Sequence, residues 1–189
     1  SVIIPVYNVG PYIRETLGSL EKQTSRDFEV LFVNDGSTDD SMEYVRDFLS
    51  ATTIMNIRVL DQKNGGVSRA RNRGIEEARG RYLLFLDADD HIHETLVEKT
   101  FHLARSNGPD IVYFGFDKVR GNGRISQRYL KRNRFILGIN KGETVLEAKL
   151  SGLTNFHING IICKKEIVNA HSIVFTPGCT HGEDQEFLQ

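Results

Sequence analysis

Short apolar runs alternate with stretches of helical periodicity along the first two thirds of the chain. Val2-Ile3-Ile4-Pro5-Val6 is rich in β-branched residues and closes in Tyr7-Asn8, and after Gly10-Pro11 the residues Ile13, Leu17 and Leu20 recur at helical spacing. The same order repeats with Phe28 to Val33 as a strand, Asp35-Gly36-Ser37-Thr38-Asp39 as turn and cap chemistry, and a helix carrying Met42, Val45, Phe48 and Leu49. A third strand, Ile57 to Leu60, leads through Lys63-Asn64-Gly65-Gly66 into a helix from about Ser68 to Ala78. Tyr82 to Leu86 is apolar throughout, as a parallel strand covered on both faces must be, and it runs into Asp87-Ala88-Asp89-Asp90. A helix over about Glu94 to Arg105 and a strand over Ile111 to Phe116 follow. The rhythm weakens after Asp117: Arg120 to Arg134, polar and rich in basic residues, reads as a long loop, and then come a helix near Glu143 to Leu150, a strand near Ile158 to Cys163, and Gly182-Glu183-Asp184-Gln185-Glu186-Phe187.

Strands and helices in strict alternation predict an α/β fold: a mostly parallel, Rossmann-like sheet with helices on both faces. Such sheets bind ligands beyond the carboxyl ends of their strands. The polar clusters after the first four strands all fall on that edge, namely Pro5-Tyr7-Asn8, Asp35-Gly36-Ser37, Asn64-Gly65-Gly66 and Asp87-Ala88-Asp89-Asp90. Carboxylates crowded at a buried strand end repel one another unless solvent or a cation neutralises them. A hard divalent ion with oxygen ligands, Mn²⁺ or Mg²⁺, suits such a cluster and keeps coordination positions open for substrate phosphates. The same acids would also suit the first turn of the next helix, and Asp35 would also suit a helix or turn cap. Ser68-Arg69-Ala70-Arg71-Asn72-Arg73 opens a helix directly after Gly65-Gly66, so backbone N–H groups and guanidinium groups meet where an anion would sit; Arg71 is the candidate among the three arginines. His91, His93 and His181 stand beside acidic residues, where surface and cap roles compete with metal ligation.

Composition narrows the picture. With 189 residues, 39% of them hydrophobic, the chain can bury a core without covalent staples. Its 24 basic and 25 acidic residues leave a formal charge of −1, which provides no overall field for nucleic acid. Cys163 and Cys179 match neither a zinc site nor a redox pair. No apolar run approaches the roughly 20 residues that span a bilayer, so a cytoplasmic location is the expectation. The chain begins within a strand and stops within a helix, and so reads as a fragment truncated at its C-terminus.

Five segments together resemble family 2 glycosyltransferases: SVIIPVYN at Ser1 to Asn8, VNDGSTDDS at Val33 to Ser41, NGGVSRARNRG at Asn64 to Gly74, GRYLLFLDADD at Gly80 to Asp90, and GEDQEF at Gly182 to Phe187. The first four come in the family's order and spacing, and the fifth is shorter. The resemblance implies a single GT-A domain over residues 1–189, with a nucleotide-sugar-binding half at 1–116 and an acceptor-side half at 117–189. It implies an inverting transfer from a nucleoside-diphosphate sugar, a UDP-sugar by preference, to a hydroxyl of a glycan or lipid-linked glycan in cell-surface polysaccharide synthesis, at or near the inner face of the membrane. By the same resemblance Pro5 and Tyr7 would line the base pocket, Asp35 would accept the base N3–H, and Asn64 and Arg71 would contact the nucleotide. Asp87 would lie near the ribose, Asp89 would ligate the metal, and Asp184, with Glu183 as competitor, would deprotonate the acceptor. Asp90 is expected to cap the following helix.

Other readings remain open from sequence. Nucleotidyltransfer would want a basic, Gly-rich loop after the first strand, where Tyr7-Asn8-Val9-Gly10-Pro11 stands instead. The P-loop and GxGxxG cradles of ATPases and dinucleotide enzymes are absent. A non-catalytic nucleotide-sugar-binding module would have no need of Asp35, Asp89 and Asp184 together.

Overall fold

Parallel strands buried on both faces need apolar side chains in both directions, and that requirement sets the centre of this protein. A computed structural model describes residues 1–119, 124–127, 138–154, 157–179 and 182–188. Its strands are β1 (Val2–Val6), β2 (Val30–Asn34), β3 (Ile57–Asp61), β4 (Tyr82–Phe85), β5 (Ile111–Tyr113), β6 (Lys118–Val119), β7 (Ile125–Gln127) and β8 (Ile161–Lys164). The helices are α1 (Ile13–Glu21), α2 (Ser41–Ala51), α3 (Val67–Glu77), α4 (Leu96–Asn107), α5 (Gly142–Leu150), α6 (Lys165–Ala170) and α7 (Glu183–Phe187), with 3₁₀ turns at Gly10–Tyr12 and Ile158–Gly160.

Among the described residues the main sheet runs β3-β2-β1-β4-β8-β5. The pairs β1–β2, β2–β3 and β1–β4 are parallel, while β8 lies antiparallel between β4 and β5. Alternate residues face opposite layers. Ile4, Val6 and Phe32 pack with Leu17 and Leu20 of α1 and Val45 of α2, whereas Ile3, Leu31 and Phe85 pack with Ala70 and Ile75 of α3, Val168 of α6 and Phe187 of α7. Helices therefore cover both faces, as expected. Gly74 lets α3 lie directly on the sheet, since a Cβ there would meet Ile3 Cγ2 at 2.3 Å. Because β2 and β3 extend from one side of β1 and β4 from the other, the strand order reverses at β1/β4, which opens a crevice at their carboxyl ends.

Three expectations change. The run Ile158 to Cys163 is a 3₁₀ turn followed by β8, a strand wedged antiparallel into the sheet. Helix α4 starts at Leu96 with Thr95 at its N-cap, so Asp90 does not cap it; the intervening residues form a turn before the helix. Within the span Arg120 to Arg134, residues 125–127 form β7, paired with β6 in a hairpin, and the rest apart from Arg124 lies outside the described residues, as does His181.

Candidate active site at the carboxyl edge of the sheet

The loops leaving β1, β2 and β3 are tied together by their own polar side chains. Asn8, in the left-handed region at φ 50°, accepts a hydrogen bond on Oδ1 from the Thr38 backbone N–H at 2.8 Å. Ser41 Oγ accepts from the N–H groups of Val9 and Gly10, both at 2.9 Å. Gly36 has φ +74°, and a Cβ on it would approach the Asn64 nitrogen to 3.0 Å, so glycine is needed for the backbone conformation and for the close crossing of two loops. Asp35 is only 2% exposed and receives hydrogen bonds from Gly65 N and Gly66 N, each at 2.8 Å, and from Gln62 Nε2 at 2.7 Å. Its carboxylate thus holds the turn that launches α3, across the gap between neighbouring strands. Tyr7 is 51% exposed, Asn64 is exposed and Pro5 is partly covered, so these three line the edge without polar contacts to the acids.

From α3, Arg71 reaches under the end of β4. It is 3% exposed, and its terminal nitrogens donate to Asp87 Oδ1 at 3.0 Å, Asp184 Oδ1 at 2.6 Å and Glu183 Oε1 at 3.4 Å, while its guanidinium lies 5.1 Å from the Phe175 ring centre. Arg71, expected at the nucleotide, spends both ends of its fork on carboxylates and ties the end of β4 to Asp184, 113 positions further along the chain from the arginine itself. Asp184 enters on α7, anchored by Phe187, which stacks on Phe175 at 4.2 Å and meets Phe85 edge-on at 5.5 Å. Burial raises the Asp184 carboxyl above its ordinary value, the charges of Glu183 and Asp87 add to this, and Arg71 opposes it. A carboxylate with raised basicity beside a crevice is equipped to take a proton.

The acids after β4 differ sharply from one another. Asp87 is bound on both oxygens, by Arg71 and, at 2.7 Å, by Asn159 Nδ2. Asp90 also accepts from Asn159 Nδ2, at 3.1 Å, and its own N–H donates to the Asp87 carbonyl at 3.0 Å. Burial, then the charges of Asp87 and Asp89, raise the Asp90 carboxyl. Asp89, between them, is exposed and has no hydrogen-bond or ion-pair partner among the described residues. No group of three or more His, Cys, Asp or Glu side chains among the described residues is arranged to hold a metal ion. A free Asp89 still fits Mn²⁺ or Mg²⁺, which take one or two protein carboxylates and complete their shells with water and substrate phosphate oxygens. His91 and His93 sit on the surface, where His93 Nδ1 accepts from Thr95 N at 3.3 Å ahead of α4.

Two site residues escaped the sequence reading. Asn159 is the middle residue of the 3₁₀ turn before β8 and His157 is its N-cap, and the Asn-Gly pair at 159–160 was the one local sign of a turn there. His157 is half-buried and edge-on to Phe116 at 5.1 Å; burial lowers its imidazole against the pull of Asp184, with Lys118 and Lys149 acting in the same sense as burial. Neither neighbour could be paired with the acids without knowing that β8 inserts beside β4. The described helices include none long and apolar enough to cross a membrane.

Comparison with known proteins shows the family and the fold. The model of the family described as "Glycosyl transferase family 2" matches residues 1–166. An uncharacterized glycosyltransferase of Bacillus subtilis, EpsJ, is 35% identical over 99% of this chain and 54% of its own length. The chain spans about half the length of the curated relatives it matches first, the second being YibD of Escherichia coli at 53%. Among solved structures, S. aureus TarS 1-349 in complex with UDP superposes with a TM-score of 0.75 at 25% identity, covering 99% of this chain and 53% of that one. A mannosyltransferase of Pyrobaculum calidifontis, PcManGT, in complex with GDP-Man and Mn²⁺, shares the fold with a TM-score of 0.69 at 20% identity, over 98% of this chain and 49% of that one.

Proposed function

The chain belongs to glycosyl transferase family 2 and has the GT-A fold, and from that premise we propose that it transfers a sugar, with inversion, from a nucleoside diphosphate, a UDP-sugar first among the candidates, to a hydroxyl of a glycan or lipid-linked glycan. The observation that carries this reading is the meeting of Asp87 and Asp184 on the buried Arg71, next to an unpartnered Asp89 at the crevice between β1 and β4. The UDP complex of S. aureus TarS, and the name of that same protein, a poly(ribitol-phosphate) beta-N-acetylglucosaminyltransferase, support a donor of this class and a role in cell-surface polymer synthesis.

In this reading residues 1–116 bind the donor and 117–189 face the acceptor. Tyr7 offers an uncovered surface to the base beside the partly covered Pro5, and Asn64 flanks it. Asp35 Oδ2, with one bond from Gly66, keeps acceptor capacity for the base N3–H. Asp87 lies near the ribose. Bound through Asp89, Mn²⁺ or Mg²⁺ would offset the charge of the diphosphate. Arg71 holds Asp87 and Asp184 in register and places positive charge beneath the site. Asp184 takes the proton from the acceptor hydroxyl as that oxygen bonds to the anomeric carbon, and the bond from that carbon to the diphosphate oxygen breaks, with its electron pair leaving on the nucleoside diphosphate. General-base help of this kind is worth about 10² to 10⁴ in rate. Glu183, the competitor, sits farther from Arg71.

Attachment to the inner face of a membrane would come from sequence outside this chain. The test is release of nucleoside diphosphate from a panel of UDP-, GDP-, CDP- and dTDP-sugars, with Mn²⁺ or Mg²⁺ and with neither. Metal-dependent release from one donor supports the reading. Tight donor binding without release in the presence of glycan acceptors would favour a non-catalytic binding module.

A further inference from the structure

Asn159 has no part in the chemistry just proposed, yet it touches two of the acids. Its backbone is set by a turn with little freedom: Ile158 is fully buried, Gly160 N donates to His157 O at 2.9 Å, Gly160 O accepts from Phe114 N at 2.8 Å, and a Cβ on Gly160 would press on the Phe114 carbonyl at 3.1 Å. From there the Nδ2 group spans Asp87 Oδ2 at 2.7 Å and Asp90 Oδ2 at 3.1 Å. Both neighbours are carboxylates, which only accept when ionised, so the amide has one sensible orientation: the nitrogen faces them and the oxygen faces away. That oxygen, Asn159 Oδ1, is buried with no hydrogen-bond partner among the described residues. A desolvated acceptor without a donor is unfavourable, so the fold tolerates it for the sake of the other end of the amide.

That other end solves a repulsion problem. Asp87 and Asp90 must lie close for the turn to close, and of these two Arg71 pairs only with Asp87. One amide with two N–H donors satisfies an oxygen of each without adding charge. With Asp87 held from one side by Arg71 and from the other by Asn159, the turn presents Asp89 as its exposed, unpartnered member.

We propose that Asn159 is a positioning residue of the donor site, whose amide braces Asp87 against Asp90 and thereby sets the turn that offers Asp89 to a metal-bound diphosphate. The proposal rests on the donor-site reading above. It is tested by calorimetric titration of UDP, with and without Mn²⁺, into the wild-type protein, Asn159→Leu, which keeps the branched shape and removes the donor, and Asn159→Ala, which leaves room for water. Both variants should keep a melting temperature within a few degrees of wild type, while the gain in affinity on adding Mn²⁺ falls about tenfold, as expected for loss of hydrogen bonds to charged groups. An undiminished Mn²⁺ gain in both variants overturns the brace and leaves the donor reading standing. Loss of metal-free binding and of melting temperature together in both variants assigns Asn159 a purely structural role, and also overturns it. A wild-type protein showing no Mn²⁺ gain removes the donor reading and this proposal with it.

Discussion

The two ends of the central sheet carry the same chemical ingredients and use them in opposite ways. At the amino edge, just before β2, Glu29 receives hydrogen bonds from Ser1 Oγ at 2.5 Å, Arg79 N at 2.6 Å, Gly80 N at 3.0 Å and Arg58 Nη2 at 2.9 Å. Burial alone would raise its carboxyl, but these donors outweigh burial and hold it down at about 2. At the carboxyl edge Arg71 also meets acids, yet the match is incomplete: Asp90 and Asp184 are raised, and among the described residues Asp89 has no partner and the buried atoms Ser68 Oγ, Arg71 Nε and Asn159 Oδ1 find no hydrogen bond. One edge is complete as it stands and stabilises the fold. The other is left with unmatched groups of the kind a bound ligand would satisfy.

The sharpest break in this comparison is Asp184→Asn, which should lower transfer by about 10³ while nucleoside diphosphate affinity stays within a few-fold, read by product release beside calorimetry. Equal loss of both would make Asp184 structural. Next is Arg71→Ala, which strands Asp87 and Asp184 and should destabilise the fold by about 3 kcal/mol, seen in denaturant unfolding, along with lost activity. Arg71→Lys should restore part of the stability but not the two-pronged registration of the acids.

At the opposite edge, Glu29→Gln should cost about 2 kcal/mol at neutral pH and leave donor binding unchanged. The sign follows from its depressed carboxyl: the stabilisation is fully present above the ordinary glutamate value and is lost as pH falls towards about 2, so the difference between Glu29→Gln and wild type should shrink over that window. The smallest effect is that of Asp90→Asn. Since the Asp90 carboxyl is raised in the fold, its ionised form opposes folding near neutral pH, and neutralising it should raise the melting temperature by about 1 °C. No gain at pH 7, or a gain that persists equally at pH 3, would remove like-charge crowding from the description of this edge.

The order of elements through residue 116 was legible because strands covered on both faces must be apolar at every position, as Tyr82 to Leu86 is, and because Gly and Asp mark the turns between them. The convergence of Asp35, Asp87 and Asp89 on one edge followed from parallel strand direction alone. Asp90 was misplaced because an acid before a helix suits a cap equally well, and only the start of α4 at Leu96 separates the two. The partners of Arg71 were not legible, for Asp184 approaches from 113 positions away through an aromatic stack of Phe85, Phe175 and Phe187 whose members are scattered along the chain. Asn159 and His157 were hidden for a related reason: the antiparallel entry of β8 beside β4 is a long-range choice with no local signature.

The central proposal is that the carboxyl edge binds a nucleoside diphosphate with the help of a divalent metal held by Asp89, and titration of UDP, GDP, CDP and dTDP into the wild-type protein and Asp89→Ala, each with and without Mn²⁺, tests it most directly. The account predicts that one diphosphate binds, that Mn²⁺ strengthens its binding in the wild type, and that Asp89→Ala abolishes this gain; binding that is indifferent to Mn²⁺, or a gain that survives in Asp89→Ala, would contradict it.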